Sequence, residues 1–304
     1  MKKVLLFVCL SFLLVLAGCN GRQQVDTTTT SPYLGGSSGI VASFEQIDDE
    51  IYLGGGIPIL MVLENKGEYD VSANSMALKL QGISRNDFSG IPDPNRILSN
   101  PEEIEKISEF NPDGGISSVD FGTAVFRHSE IEGDKYLANI FIEYVFPYQT
   151  AITVTNACVK GDPTDESVCN IEGTKQAFSS GAPIQLSGSV VQKRAGRNKI
   201  LLEIPIRNAG PGEAVVRVGG SGDARFNTDY DEVNIRPSDT DLGWECSAKG
   251  RTDRARLAAG ETVTVKCSLE DVPANQRTIE TFTLISEYYY REIINKQVLI
   301  REES

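Results

Sequence analysis

Val62-Leu63-Glu64-Asn65-Lys66-Gly67-Glu68 returns later in the chain as Pro205-Ile206-Arg207-Asn208-Ala209-Gly210-Pro211-Gly212-Glu213. Each copy is the end of an apolar run that closes on Asn-x-Gly. Asn and Gly suit a turn at that point because both tolerate positive φ. In each case another apolar run lies roughly 15–20 residues upstream, at 40–47 and at 184–191. The period exceeds 140 residues, too long for a solenoid, so the repeat predicts two similar domains.

Working outward from this repeat, period-two alternation dominates. Ile200, Leu202, Ile204 and Ile206 fall on one face of a strand, with Glu203 and Arg207 on the other. Val263, Val265, Cys267 and Leu269 alternate with Thr262, Thr264, Lys266 and Ser268. Tyr136, Ala138, Ile140, Ile142, Tyr144 and Phe146 make a long apolar row. Residues 281–290 and 293–301 read either as a hairpin turning near Arg291-Glu292 or as one long bent strand. β-branched and aromatic side chains fill these runs, as strands prefer. Helix has one good start, Asn100-Pro101-Glu102-Glu103: a cap, a proline at the first position, then acids in the first turn. It predicts a helix to about Phe110, inside a decorated insertion near 84–115. Many short strands separated by Gly and Pro turns predict an all-β protein of two β-sandwiches in tandem, residues 39–180 (with the partly helical insertion) and 181–304.

Two stretches carry a resemblance. The strand ending in Asn-x-Gly, and Leu257-Ala258-Ala259-Gly260-Glu261-Thr262-Val263 leading into another strand, are similar to immunoglobulin-like modules of the CARDB type found in prokaryotic surface proteins. The match is strongest over 184–302 and thinner over 40–175. It implies an immunoglobulin-like sandwich with an adhesion or scaffold role, and it carries no catalytic residues.

The chain opens on Met1-Lys2-Lys3, followed by an apolar run over 4–16 and then Ala17-Gly18-Cys19. Positive start, apolar core and small-residue site form an export signal, residues 1–18. The run falls short of the ~20 residues of a spanning helix. Leu16-Ala17-Gly18-Cys19 resembles the lipobox of lipoprotein precursors. The resemblance implies cleavage before Cys19 and lipid on its thiol, hence a membrane anchor on the outer side of the cytoplasmic membrane or at the cell surface. Residues 19–38, with Thr27-Thr28-Thr29-Thr30 and Gly35-Gly36-Ser37-Ser38, read as a flexible linker. A tether of ~20 residues spans about 25 Å r.m.s..

The formal net charge is −13, of which residues 1–180 hold −12. An acidic chain lacks the basic footprint of nucleic-acid binding. Besides Cys19 and Cys9 (inside the signal), four cysteines remain, and an even set in an exported chain reads as disulfides. Three connectivities are open. Cys158–Cys169 with Cys246–Cys267 keeps each bridge within one half and is the expected pairing. With His128 as the single histidine and no Cys-x-x-Cys, a Cys/His zinc site is poorly supplied.

Candidate chemistry is sparse, and no catalytic set is expected. A Ser-His-Asp triad would have to use His128, and there is no Gly-x-Ser-x-Gly elbow. Asp229 and Asp231, or Asp162 and Asp165, offer hard oxygen ligands for a structural calcium; no other cofactor is expected. Two basic clusters stand out: Lys193, Arg194, Arg197 and Lys199, then Lys249, Arg251, Arg254 and Arg256. Either is a solvated turn or a contact for an acidic glycan, a lipid headgroup or the acidic first domain of a neighbouring copy. The expected function is therefore binding, adhesion or envelope structure, with other envelope proteins or glycans as partners. The competing class is an exported enzyme acting on envelope polymers.

Overall fold

The computed structural model describes residues 30–93, 96–133, 135–162, 168–196, 198–216, 229–238, 243–258 and 260–302. The description below concerns the compact unit Pro32–Ser304. Cys19 and the signal lie outside the described residues. The protein is all-β, with no helix among those residues.

The repeat marks two equivalent corners of the fold. Gly56–Asn65 pairs antiparallel with Ile40–Phe44 and with Ile116–Phe126, which pairs in turn with Phe88–Ser89. Lys199–Asn208 pairs likewise with Ile184–Leu186 and with Thr262–Leu269. In the first copy Ile40 stands opposite Asn65, and in the second Ile184 stands opposite Asn208. The second sheet is extended by Val190–Gly196 and Gly173–Lys175 on one side and by Trp244–Ala248 and Arg251–Thr252 on the other. Alternation sets the buried faces: Ile57, Ile59, Met61 and Leu63 in the first copy, and Ile200, Leu202, Ile204 and Ile206 in the second, are all sealed from solvent.

Both of these sheets pack on a third, whose spine is two strands of unusual length. Lys135–Lys160 and Arg277–Arg301 pair antiparallel from Lys135↔Arg301 to Lys160↔Arg277, with one bulge between Glu280 and Phe282. Residues 277–301 are therefore one strand rather than a hairpin. The alternation runs through Arg291-Glu292 unbroken, and no turn residue interrupts it. Near the start of the first spine strand, Ala77–Gln81 adds to its edge; near the end, Ala177–Ser179 does. Along the second, Glu232–Pro237 and Glu213–Val216 add to residues from the same half, while Glu50–Tyr52, from the first half, lies parallel to its far end.

Each half thus lends the end of its spine strand to the other. Tyr136 packs on Phe88 and Phe126 of the first sheet, and Phe282 meets Trp244 of the second at 4.9 Å between ring centroids. Further along, Gln192 of the second half binds both backbone groups of Cys158 from the first, at 2.9 and 2.7 Å. An ion pair crosses the same seam, Arg291 to the nearly buried Glu143 at 2.9 Å. The residues on either side of residue 180, expected as two domains, share a sheet and a continuous core within the one compact unit Pro32–Ser304.

The middle of the spine is aromatic. Tyr148 stands opposite Tyr288 and Phe146 opposite Tyr290. Tyr148 donates its hydroxyl to Asn65 Oδ1 and Tyr290 donates to Asn208 Oδ1. The Asn oxygens also accept the N–H of Gly67 and of Gly210, each at 3.1 Å. Neither glycine has positive φ. They are required for space: a Cβ on Gly67 would sit 2.1 Å from the Tyr148 hydroxyl, and one on Gly210 would sit 2.4 Å from that of Tyr290.

The chain enters the fold at this same waist. Glu68 accepts the N–H groups of Leu34, Gly35 and Gly181, and the Tyr33 hydroxyl bonds Thr153 Oγ1 at 2.8 Å. Residues 33–38, expected to be linker, are in part pinned to the body.

The helix expected from Asn100 is absent, which corrects the reading of 84–115 as partly helical. Asn100 is fully buried and stitches loops together: its Oδ1 accepts the Met76 N–H, and its Nδ2 donates to the carbonyls of Ser72 and Glu102. Ile104 then bridges Val71 by two backbone hydrogen bonds. These long-range partners outcompete a short helix that has little apolar face of its own.

Candidate functional site

Trp244–Ala248 and Arg251–Thr252 form a two-residue hairpin, Ala248 opposite Arg251. Its turn residues, Lys249 and Gly250, have φ of 47° and 80°. Positive φ at both positions is the geometry whose twist matches the flanking strands. After Asp253, itself at positive φ, the chain crosses to the shared sheet, where Arg254–Arg256 pairs with Glu232–Pro237. The crossing gathers the second basic cluster around a cavity of about 390 Å3 lined by Ala248, Lys249, Arg251, Arg256, Ala258 and Glu261.

The charges around it are ordered from behind. Glu232, nearly buried, binds Arg251 Nη1 and lies 3.6 Å from Arg254 Nη1. Lys249 reaches Glu261 at 3.3 Å. Arg256 has no ion-pair partner among the described residues. Behind the hairpin, Cys246 is disulfide-bonded to Cys267 on the neighbouring strand, directly opposite it in register. Three cations and one carboxylate line a concave surface suited to an anion.

The other predicted positions are placed as follows. Lys193 is paired with Glu203 at 2.6 Å, and Lys199 with Glu270. Arg194 is exposed on the same hairpin, and Arg197 lies outside the described residues. That first cluster is therefore largely matched by acids on adjoining strands. Of the calcium candidates, Asp165 and the side chain of Asp229 lie outside the described residues. Asp231 occupies a turn at φ 63°, and its carbonyl accepts the Leu257 N–H. Asp162 sits just after Lys160 in the loop toward Cys169. Among the described residues no three His, Cys, Asp or Glu side chains gather as a metal site. His128 Nε2 lies 3.0 Å from Asp87 Oδ1 on the surface, with its ring against Phe126. No serine hydroxyl bonds the ring among the described residues.

Both disulfides join the expected partners, Cys158 to Cys169 and Cys246 to Cys267. Such bridges belong to oxidising, extracytoplasmic settings. Trp244 is buried, as a core residue. The 246–267 bridge lies within one sheet, whereas the bridge of antibody domains crosses between sheets. The acid Glu232 escaped the sequence reading because it comes from a separate strand, and Glu261 because it lies in the loop before Thr262–Leu269; the two-residue turn Lys249-Gly250 was the local signal available.

No protein-family model matches the chain, and no curated protein matches it. Among solved structures it is similar to the secreted serine protease VesC from Vibrio cholerae, at 10% identity and a TM-score of 0.20, over 82% of this chain and 50% of that one. The chain thus spans about half the length of that protein.

Proposed function

We propose that this chain is a lipid-anchored extracytoplasmic binding protein, in which two immunoglobulin-like sandwiches have been duplicated and joined through exchanged strands. The lipobox at Cys19 supplies the anchor, and the protein acts through its surfaces as an adhesion or envelope component rather than as an enzyme. The observation that carries this reading is the pair of disulfides behind an export signal. Two lipid chains at Cys19 would suffice for stable anchoring, since each buried methylene contributes ~0.8 kcal/mol.

The test is expression of the full chain in a bacterial host, followed by fractionation and mass spectrometry of the N-terminal peptide. Membrane association with a diacylated Cys19, lost in Cys19→Ala, is the expected result. An unmodified Cys19 or a retained signal would sink the anchor.

A further inference from the structure

We propose that the cavity bounded by Lys249, Arg251 and Arg256 is a binding site for the carboxylate-bearing sugar units of an acidic polysaccharide. The inference deepens the binding role above and rests on it. A volume of about 390 Å3 is at the small end of ligand pockets, with room for one unit of a longer chain. The lining matches the chemistry of such a unit. Arg251 and Arg256 present guanidinium forks, which suit a carboxylate geometrically better than an ammonium does. Lys249 adds a point charge. Glu261 can accept sugar hydroxyls, and the half-buried Ala258 offers a small apolar contact to the C–H surface of a ring.

The site is preorganised. The carboxylate of Glu232 holds Arg251, the two-residue turn fixes the backbone of Lys249, and the 246–267 bridge ties the hairpin to its neighbour. Arg256 is exposed and makes no ion pair among the described residues, although Glu232 stands opposite it in register and is engaged by Arg251 and Arg254; a ligand anion would complete its pairing. Lys193 and Lys199 of the first cluster are paired with Glu203 and Glu270, as Lys249 and Arg251 are with Glu261 and Glu232; the second cluster differs in lining a cavity and in holding Arg256, which makes no ion pair among the described residues. The cationic lining is confined to one small cavity rather than spread over a face, which favours a discrete sugar unit over a headgroup surface.

The experiment uses the full-length chain purified from membranes in detergent. Binding is measured against polygalacturonate, dextran sulfate, unmodified dextran and phosphatidylglycerol vesicles. The expected result is salt-sensitive binding to polygalacturonate and none to dextran. Arg256→Ala should weaken it about 10–100-fold, the loss of a charge-assisted hydrogen-bonding partner, and Lys193→Ala should leave it unchanged. Arg256 is exposed, so this variant tests binding even if Arg251→Ala, which strips Glu232 of a partner, fails to fold. Absence of polygalacturonate binding, preference for the sulfated polymer or the vesicles, or equal losses in Arg256→Ala and Lys193→Ala would each overturn the proposal. Fractionation of the same preparation reports the anchor separately, so a Cys19-dependent membrane protein that ignores polygalacturonate refutes the site alone.

Discussion

Tyr148 reaches across from the shared sheet to donate its hydroxyl to Asn65 Oδ1 at 3.1 Å, deep in the waist of the fold. Tyr290 does the same to Asn208 at 2.9 Å. The two contacts are copies of one device. Tyr148→Phe and Tyr290→Phe should each cost ~1 kcal/mol, the net worth of a buried hydrogen bond. Asn65→Ala should cost more, because its Nδ2 also donates to the carbonyls of Tyr69 and Ile104. Urea midpoints of the three variants would check this ordering. Equal losses for Tyr148→Phe and Asn65→Ala would contradict it.

Gly67→Ala and Gly210→Ala should destabilise through crowding rather than strain. The added methyl meets a tyrosine hydroxyl in each case, and at Gly67 the carbonyls of Ser38 and Gly181 as well. Overpacking of this kind costs roughly 1–3 kcal/mol. Tyr290→Phe in the Gly210→Ala background should recover part of the loss, a non-additivity that denaturation of the double variant would reveal.

Alkaline pH should unfold the protein. Burial holds the phenols of Tyr144, Tyr148, Tyr288 and Tyr290 well above the ordinary 10.0. The folded pKa exceeds the unfolded one, so this stability is complete below pH 10.0 and drains away as pH climbs toward the folded values. A urea midpoint flat to about pH 9 and falling steeply above pH 10 is expected, and Tyr290→Phe should soften the fall.

Glu292 should give a second, smaller pH signature at the acid end. Burial raises its carboxyl above 4.5, opposed by the hydrogen bond from Tyr144. Its contribution is full below pH 4.5 and declines as pH rises through the folded value. Glu292→Gln should therefore gain on the native chain between about pH 4 and pH 7. A constant difference in midpoint across that range would contradict the assignment.

Because each half lends a strand to the other, the halves should unfold together. Hydrogen exchange at 59–63 and at 202–206 should report one opening free energy, the global one. Two clearly separated values would mean that the shared sheet does not couple them.

Much of this architecture is written in local pattern. Ile200 to Ile206, Val263 to Leu269 and Ala138 to Phe146 are buried on the faces that their alternation assigns, with Tyr136 half-buried at the start of its row. What local pattern cannot carry is partnership. Nothing around Lys135 says that it ends opposite Arg301, and the hairpin reading of 281–301 was equally compatible with the residues. The capping signal at Asn100 was genuine in type, but its side chain found Met76, Ser72 and Glu102 instead of the first turn of a helix. Asn-x-Gly was legible as a repeat, and the reason for its glycine, a tyrosine arriving from more than 80 residues away in each copy, was not. In the candidate site the cations were adjacent in sequence, whereas the acid that orders them, Glu232, came from a different strand.

The grip of Glu68 on Leu34, Gly35 and Gly181 has a mechanical consequence. A pull on the chain ahead of Tyr33 would be taken up first by the three hydrogen bonds to Glu68 and by the Tyr33–Thr153 contact, so force would enter the body through one carboxylate and one phenol rather than through its sheets.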